Sequence, residues 1–175
     1  MKTFILATII LLGSLFSYAQ QETGAIPSTA NILGEFSVIG EDPLEFGDVP
    51  FDVSTTVNTN DDGRGMFIVE QGPGNPNVLM WFDFPTHLEY QGAGPGGSDL
   101  AIDNWTYRKS DAPITTSTGT PINSGDVFTA NIAQEGTIVG GKRVLYVMVG
   151  ARVTPDIDTW AGEYEGELTL TVEYN

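Results

Sequence analysis

Cysteine is absent from the 175-residue chain. Its absence excludes a disulfide bond, a thiolate nucleophile and a lipid anchor on an N-terminal cysteine. Zinc sites of the cysteine and histidine type are also excluded, because the chain has one histidine, His87. We therefore expect packing, rather than a covalent cross-link, to hold the fold together.

Basic residues are scarce. Lysine and arginine number 7 against 23 acidic residues, which gives a formal charge of −16 at pH 7. Such a surface repels the phosphates of nucleic acids and of anionic lipids, so we expect no nucleic-acid partner. An acidic surface of this kind is typical of a protein that is kept soluble by its charge.

Recognisable catalytic and cofactor motifs are also missing. His87 has no evident catalytic partner, and Ser98 lacks the flanking glycines of a nucleophile elbow. The glycine-rich segment 92–97 contains Pro95, and no helix follows it to bind a phosphate. Segment 58–63 resembles the start of a calcium loop, but its twelfth position is Val69, so a hairpin turn is favoured. We expect no enzymatic activity, no metal and no cofactor.

The longest hydrophobic run lies at the N-terminus. Lys2 precedes an apolar stretch over residues 4–16, and Ser17-Tyr18-Ala19 forms a small-x-small cleavage site. The run is too short to span a membrane, and no later segment replaces it. Residues 1–19 are therefore predicted to be a signal peptide, and the protein is predicted to be secreted.

The rest of the chain is rich in turn residues, with 21 glycines and 10 prolines. No segment repeats apolar residues at helical spacing, whereas many short segments alternate apolar and polar residues. This pattern predicts an all-β, two-sheet sandwich of residues 30–175, preceded by a flexible arm of residues 20–29. The predicted strands cover 30–38, 44–49, 52–57, 66–70, 78–84, 100–107, 127–133, 143–153 and 163–174. The predicted core aromatics are Phe46, Phe67, Trp81, Phe128, Tyr146 and Tyr164.

The last predicted strand has one apolar and one acidic face. Apolar residues alternate with glutamates or threonines, and successive side chains of a strand point to opposite faces. We therefore expect one face to be buried and the other to be exposed to solvent. The apolar parity comprises Tyr164, Leu168, Leu170, Val172 and Tyr174.

This C-terminal pattern resembles the last strand of bacterial chaperone–usher pilins, in which a glycine fourteen residues from the end and a penultimate tyrosine belong to the strand that the chaperone holds. Gly162 and Tyr174 match those positions. With the Leu-Glu-Phe-Gly element at 44–47 and the Ala-Gly-Glu-Tyr-Glu-Gly element at 161–166, most of the chain resembles a family of small secreted bacterial proteins. That uncharacterised family is similar to spore-coat protein U and to archaic pilins.

The resemblance implies an immunoglobulin-like sandwich that lacks one strand and polymerises at the cell surface by donor-strand exchange. Implied partners are other copies of the chain, a periplasmic chaperone and an outer-membrane usher. The groove that receives the donated strand would be lined by Gly162, Tyr164, Leu168, Leu170, Val172 and Tyr174. The candidate donor strand carries Ala30, Ile32, Gly34, Phe36 and Val38.

Two alternatives stay open at this point. The arm could fold back and complete its own domain, which would give a monomer. The protein could instead be a monomeric surface module that binds a glycan or another ligand through Trp105, Trp160 or the long connections 90–99 and 109–125.

The cleavage site predicts that the exported protein begins at Gln20. Loss of residues 1–19 removes one lysine and no acidic residue, leaving 156 residues with a formal charge of −17. Intact-mass measurement of the protein from culture supernatant checks this, and a mass that retains residues 1–19 would contradict it.

Overall fold

The fold is built almost entirely from β-strands. A computed structural model describes residues 36–71, 77–92 and 99–175. The predicted signal peptide, the arm 20–29, and Ala30, Ile32 and Gly34 lie outside the described residues.

Within the described ranges the chain forms twelve strands and one helical turn. They are β1 (Phe36–Asp42), β2 (Thr55–Val57), β3 (Gly65–Gln71), β4 (Asn77–Asp83), β5 (His87–Tyr90), β6 (Leu100–Ser110), β7 (Thr120–Pro121), β8 (Phe128–Asn131), α1 (Ile132–Glu135), β9 (Thr137–Val139), β10 (Lys142–Thr154), β11 (Tyr164–Glu165) and β12 (Thr169–Tyr174).

The strands form two antiparallel sheets. The larger sheet has the order β1–β3–β10–β6–β5–β11, with β2 and β9 also paired to β10 and β7 paired to β6. The smaller sheet has the order β12–β4–β8. The prediction of an all-β protein with two sheets is therefore confirmed.

The thirteen-residue strand β10 is the centre of the larger sheet. Its inward-facing residues, from Leu145 to Val153 on odd numbers, are 0–1% exposed. Its other face also carries buried residues, Val144 and Met148. Gly150 lies against the backbone of the neighbouring strand β2, because a Cβ there would stand 2.3 Å from the carbonyl oxygen of Val57. The strand is thus covered on both faces.

The core lies between β10 and the central strand of the smaller sheet, β4. Alternate residues of β4, Val78, Met80 and Phe82, are fully buried. Phe82 stacks between Phe84 and Phe128, with ring centroids 5.2 and 5.6 Å away. Phe82 also contacts Phe67 of β3 at 6.0 Å and Tyr107 of β6 at 6.5 Å, and these contacts join the two sheets.

Two tryptophans differ from their predicted positions. Trp81 was predicted to be in the core, yet it lies on the opposite parity of β4 from Met80 and Phe82 and is only half-buried. Trp105 was a candidate ligand-binding residue, yet it is 9% exposed and stacks on Phe84 at 4.2 Å. Trp105 is turned inward by a bulge in β6 at Asn104, whose φ of 52° shifts the inward parity by one residue.

Three other predictions need correction. Tyr146 points to the outer side of β10 and is half-buried. Segment 44–49 forms no regular strand, since Gly47 has a φ of +63° and breaks the extended path. The last strand is split, because β11 ends at Glu165 and β12 begins only at Thr169.

Replacing Phe82 by alanine should destabilise the fold by about 3–5 kcal/mol, because the ring is fully buried and joins the sheets. Urea denaturation of the two proteins measures the difference. Phe51→Ala is the matched control, since that ring is 56% exposed, and it should change the free energy of unfolding by less than about 1 kcal/mol. Equal losses in both variants would contradict this account of the core.

Candidate functional site

The first and last strands lie at sheet edges and face each other across the sandwich. β1 is an edge strand of the larger sheet and β12 an edge strand of the smaller one. The ring of Phe36, which begins β1, meets the ring of Tyr174, which ends β12, with centroids 4.7 Å apart. Among the described residues, β1 and β12 share no backbone pairing. The two strands are therefore bridged only by side chains.

Beyond this ring contact the gap widens into a cleft of about 1360 Å³. One wall is formed by residues 40–49, which comprise the end of β1 and the segment after it, and the other by residues 159–168, which precede β12. We call the gap between β1 and β12, together with this cleft, the edge groove. Its apolar floor includes Met66, Phe67, Leu88, Leu100, Ile102 and Trp105.

Residues 43–45 are held beside the turn that precedes β3. The Glu45 N–H donates a hydrogen bond to the Gly63 carbonyl at 2.8 Å. A Cβ at Gly63 would lie 2.3 Å from the Glu45 carbonyl oxygen, so only glycine allows this approach. In the preceding turn Asp61 accepts hydrogen bonds from the backbone and side chain of Asn58, at 2.7 and 3.0 Å. This geometry is that of a turn, and it positions one wall of the edge groove.

The apolar residues predicted on the last strand face the interior. Leu170, Val172 and Tyr174 pair in register with Phe82, Met80 and Val78, all of which are fully buried. Leu170 is 7% exposed, and Leu168 and Val172 are partly buried against the core. Leu168 also lines the cleft. These four predicted site residues therefore lie along one side of the edge groove.

Gly162 and Tyr164 lie in an aromatic corner at the rim of the cleft, which we define as Tyr90, Trp160 and Tyr164. The Tyr90 ring lies 5.7 Å from Trp160 and 5.4 Å from Tyr164. The Tyr164 hydroxyl donates to the Trp160 carbonyl and accepts from the Trp160 N–H, at 2.8 and 3.0 Å. Gly162 has a φ of +155°, and a Cβ there would stand 2.4 Å from the Tyr90 ring. The corner thus depends on glycine at this position.

Two of the five candidate donor residues are described. Phe36 and Val38 belong to β1 and pair with Gln71 and Val69 of the same chain. They form part of a groove wall in this structure. Ala30, Ile32 and Gly34 lie outside the described residues, and the donor role stays a prediction.

Part of the groove was not predicted from the sequence. The floor residues Met66, Leu100 and Trp105 come from strands far apart in the chain, and no local pattern marks them as neighbours. Part of the wall at 40–49 has a recognisable sequence pattern, since its apolar residues alternate and include the Leu-Glu-Phe-Gly element. This pattern predicted a β-strand, whereas in the structure the segment after β1 is irregular and lines the cleft.

Charge at the rim of the edge groove is acidic. Exposed carboxylates stand on both walls, above the apolar floor. They are Glu41, Asp42, Glu45, Asp48, Glu163, Glu165 and Glu167.

The residues with shifted pKa values lie away from the cleft. Hydrogen bonds from Arg152 lower the pKa of Asp103, and that pair is on the exposed side of the larger sheet. Burial alone would raise the pKa of Glu135, but the hydrogen bonds from Lys109 and the Asn131 N–H outweigh burial and lower it. Burial and the charge of Glu135 raise the pKa of Tyr107. These groups link strands to each other or to α1.

Within residues 36–71, 77–92 and 99–175, no group of three or more histidines and acids is arranged to hold a metal ion. No helix in the described part of the chain is long and apolar enough to cross a membrane.

Comparison with known proteins adds no relative, since no protein family and no curated protein matches this sequence. The resemblance to spore-coat protein U and to archaic pilins therefore stays a hypothesis. What the site itself offers is a groove with an apolar floor, between two edge strands that do not pair with each other among the described residues.

Replacing Gly162 by alanine should disturb the aromatic corner, because the new methyl group collides with Tyr90 and the backbone conformation is unfavourable for alanine. We expect a loss of about 1–3 kcal/mol in the free energy of unfolding, measured by urea denaturation. Glu163→Ala alters an exposed neighbour and serves as the control. Equal stability of Gly162→Ala and the parent protein would show that the corner tolerates a side chain.

Proposed function

We propose that this protein is the structural subunit of an extracellular filament and that its domain is an immunoglobulin-like, pilin-like sandwich. Each subunit would receive a strand from its neighbour in the edge groove. The observation that supports the proposal is the gap between β1 and β12, which side chains bridge at one end, while in the described part of the chain the two backbones are not paired with each other.

The edges of β1 and β12 favour an inserted strand. Paired strands lie about 4.8 Å apart, so one added strand would have to hydrogen-bond to β1 on one side and β12 on the other. Unpaired edges of this kind otherwise attract uncontrolled association. The same strand would cover the apolar floor, and each 100 Å² of apolar surface removed from water contributes roughly 2.5 kcal/mol.

The proposed occupant is the segment that precedes β1 in another copy of the chain. If the exported protein begins at Gln20, residues 20–35 precede β1, and sixteen extended residues reach roughly 50 Å. The six residues of β12 span only about 20 Å. The segment is thus long enough to supply a strand and a linker. Its candidate inward residues are Ala30, Ile32 and Gly34.

A subunit with an unfilled groove exposes apolar surface before assembly. A periplasmic chaperone that lends a strand, and an outer-membrane usher that exchanges it, would protect this surface during export. Both partners belong to the proposal, as does location at the cell surface.

The exposure of Trp160 favours a second candidate, a monomeric module that binds a glycan. Trp160 is 37% exposed and lies with Tyr164 at the rim of the cleft, where aromatic rings could stack on a sugar. Trp105 offers no such surface, since it is buried. In this alternative the chain's own arm fills the groove.

Engineered disulfides distinguish these cases, and the absence of native cysteine makes the result simple to interpret. Ala30→Cys, Ile32→Cys and Gly34→Cys are each combined with Val172→Cys, oxidised and run on a non-reducing gel. Assembly by strand exchange should give a ladder of cross-linked subunits from at least one pair. Each arm cysteine combined with Glu173→Cys is the control, because that side chain is exposed on the outer face.

Two outcomes overturn the filament proposal. A disulfide confined to the monomer would mean that each arm completes its own domain. No cross-link from any pair would mean that the arm does not occupy the groove.

The groove also predicts a substitution that blocks assembly. Leu168→Asp places a charge at the side of the cleft, and the cost of burying it under a strand should prevent insertion. Leu168 is only partly buried, so we expect the domain to stay folded. Sedimentation velocity should show monomers for Leu168→Asp and assemblies for the control Thr169→Asp, which adds the same charge at an exposed position. Assembly by both variants would contradict the prediction.

A further inference from the structure

The cleft of the edge groove carries charge of one sign. Its two walls bear the seven exposed carboxylates of the rim, and none of the described residues that line it is a lysine, an arginine or a histidine. None of the seven carboxylates forms an ion pair within the described part of the chain. The charges on the two walls therefore repel one another and make the mouth of the cleft strongly negative.

The basic side chains of the described residues are used elsewhere. Lys109, Lys142 and Arg152 each pair with a carboxylate outside the cleft, at 2.6, 2.6 and 2.8 Å. Arg64 and Arg143 donate hydrogen bonds to backbone carbonyls. A basic side chain that balances the charge of the cleft therefore has to come from outside the described residues.

The same cleft offers apolar and aromatic surface. Its floor is apolar, and two rings at its rim are exposed to solvent, Phe51 at 56% and Trp160 at 37%. A cation is attracted to the face of an aromatic ring as well as to a carboxylate. A ligand that matches the cleft therefore combines basic groups with apolar ones.

The walls of the cleft also include two strand edges. The end of β1 contributes Glu41 and Asp42, and β11 contributes Tyr164 and Glu165. β1 and β11 are the two outermost strands of the larger sheet, and edge strands pair with extended polypeptide segments. The volume of about 1360 Å³ exceeds the roughly 300–1,000 Å³ of a small-molecule pocket. The cleft is therefore suited to an extended polypeptide segment.

We infer that the cleft binds an extended segment of another protein in which lysine or arginine alternates with apolar residues. Successive side chains of such a segment point to opposite faces, so the apolar ones contact the floor while the basic ones point away from it. The long aliphatic parts of lysine and arginine allow their charged ends to reach the carboxylates on both walls.

The segment before β1 of this chain does not have that composition. Residues 20–35 contain Glu22 and Glu35 and no lysine or arginine, so a second copy is not the partner that the charge of the cleft selects. The inference stands on the cleft and not on strand exchange, in which a donated arm would compete with the basic segment for the same floor.

Isothermal titration calorimetry of the exported protein with a synthetic octapeptide of alternating lysine and valine tests the inference. We expect one peptide to bind per cleft, about tenfold more tightly than an octapeptide of alternating lysine and serine, which has the same charge without the apolar side chains. An octapeptide of alternating glutamate and valine should not bind, because the rim repels it. Added salt should weaken binding of the lysine–valine peptide, because it screens exposed charges.

Variants locate the binding site on the protein. The triple substitution Glu163→Gln, Glu165→Gln and Glu167→Gln should lower the affinity about tenfold, since each exposed ion pair contributes roughly twofold. The matched control removes three exposed carboxylates that do not line the cleft, by Asp83→Asn, Asp111→Asn and Glu173→Gln.

A second pair of variants tests the apolar contact. Phe51→Ala should lower the affinity a few-fold, because it removes an exposed ring from the cleft. Ile114→Ala removes an apolar side chain that is 78% exposed and does not line the cleft, and it should leave the affinity unchanged.

Three outcomes would overturn the inference. They are no binding of the lysine–valine peptide, equal binding of the lysine–serine peptide, and equal losses in the two triple variants, which would mean that the overall charge of the protein attracts the peptide. The disulfide between the arm and Val172 reports separately on the proposed function. A cross-linked ladder without peptide binding would leave the filament proposal in place and remove only the basic partner.

Discussion

The pairing of β10 with its neighbours is the constraint on which the rest of the structure depends. β10 pairs with β3 and β2 along one edge and with β9 and β6 along the other. Because β10 carries buried residues on both faces, a shift of one residue in its pairing would expose apolar side chains. The register of its neighbouring strands is therefore fixed. The position of β3 in turn fixes β1, so the location of the groove wall follows from the centre of the sheet.

The chain has no cysteine, so the two sheets are held together by packing alone and not by a disulfide bond. The contacts of Phe82 with Phe67 and Tyr107 join the sheets at the centre, and the side chains of Phe36 and Tyr174 meet at one end. Between these contacts and the rim lies a cleft with an apolar floor and an acidic border. The apolar floor of the cleft is poorly hydrated, whereas the carboxylates at its border interact favourably with water.

Sequence patterns predicted the elements whose alternation is uninterrupted. The strands around Val147 and Met80 were predicted within one or two residues of their bounds, and the inward face of the last strand was predicted correctly. Failures occurred where one backbone irregularity changed the parity or the path. The left-handed conformation of Asn104 turned Trp105 towards the core, and Gly47 turned a predicted strand into a groove wall. Trp81 was misplaced for a different reason, since it lies on the outward parity of a regular strand.

The expectation of a groove came only from the resemblance of the C-terminal strand to that of chaperone–usher pilins. Its floor joins residues from β3, β5 and β6, and contacts between strands so distant in the chain leave no local pattern. The sequence also does not predict that the side chain of Gln71 is fully buried, with no hydrogen-bond partner for its amide among the described residues. In the sequence Gln71 is an ordinary polar residue at the end of a predicted strand.

The contact between Phe36 and Tyr174 has a mechanical consequence. It places the point where the chain enters β1 beside the point where β12 ends. In a filament joined through this groove, tension would enter a subunit at Phe36 and pass along β1 into its six residue pairs with β3. Load directed along a strand stretches all the hydrogen bonds of a ladder together, whereas load across it breaks them one after another. The fold would thus resist pulling in the one direction in which a surface fibre is pulled.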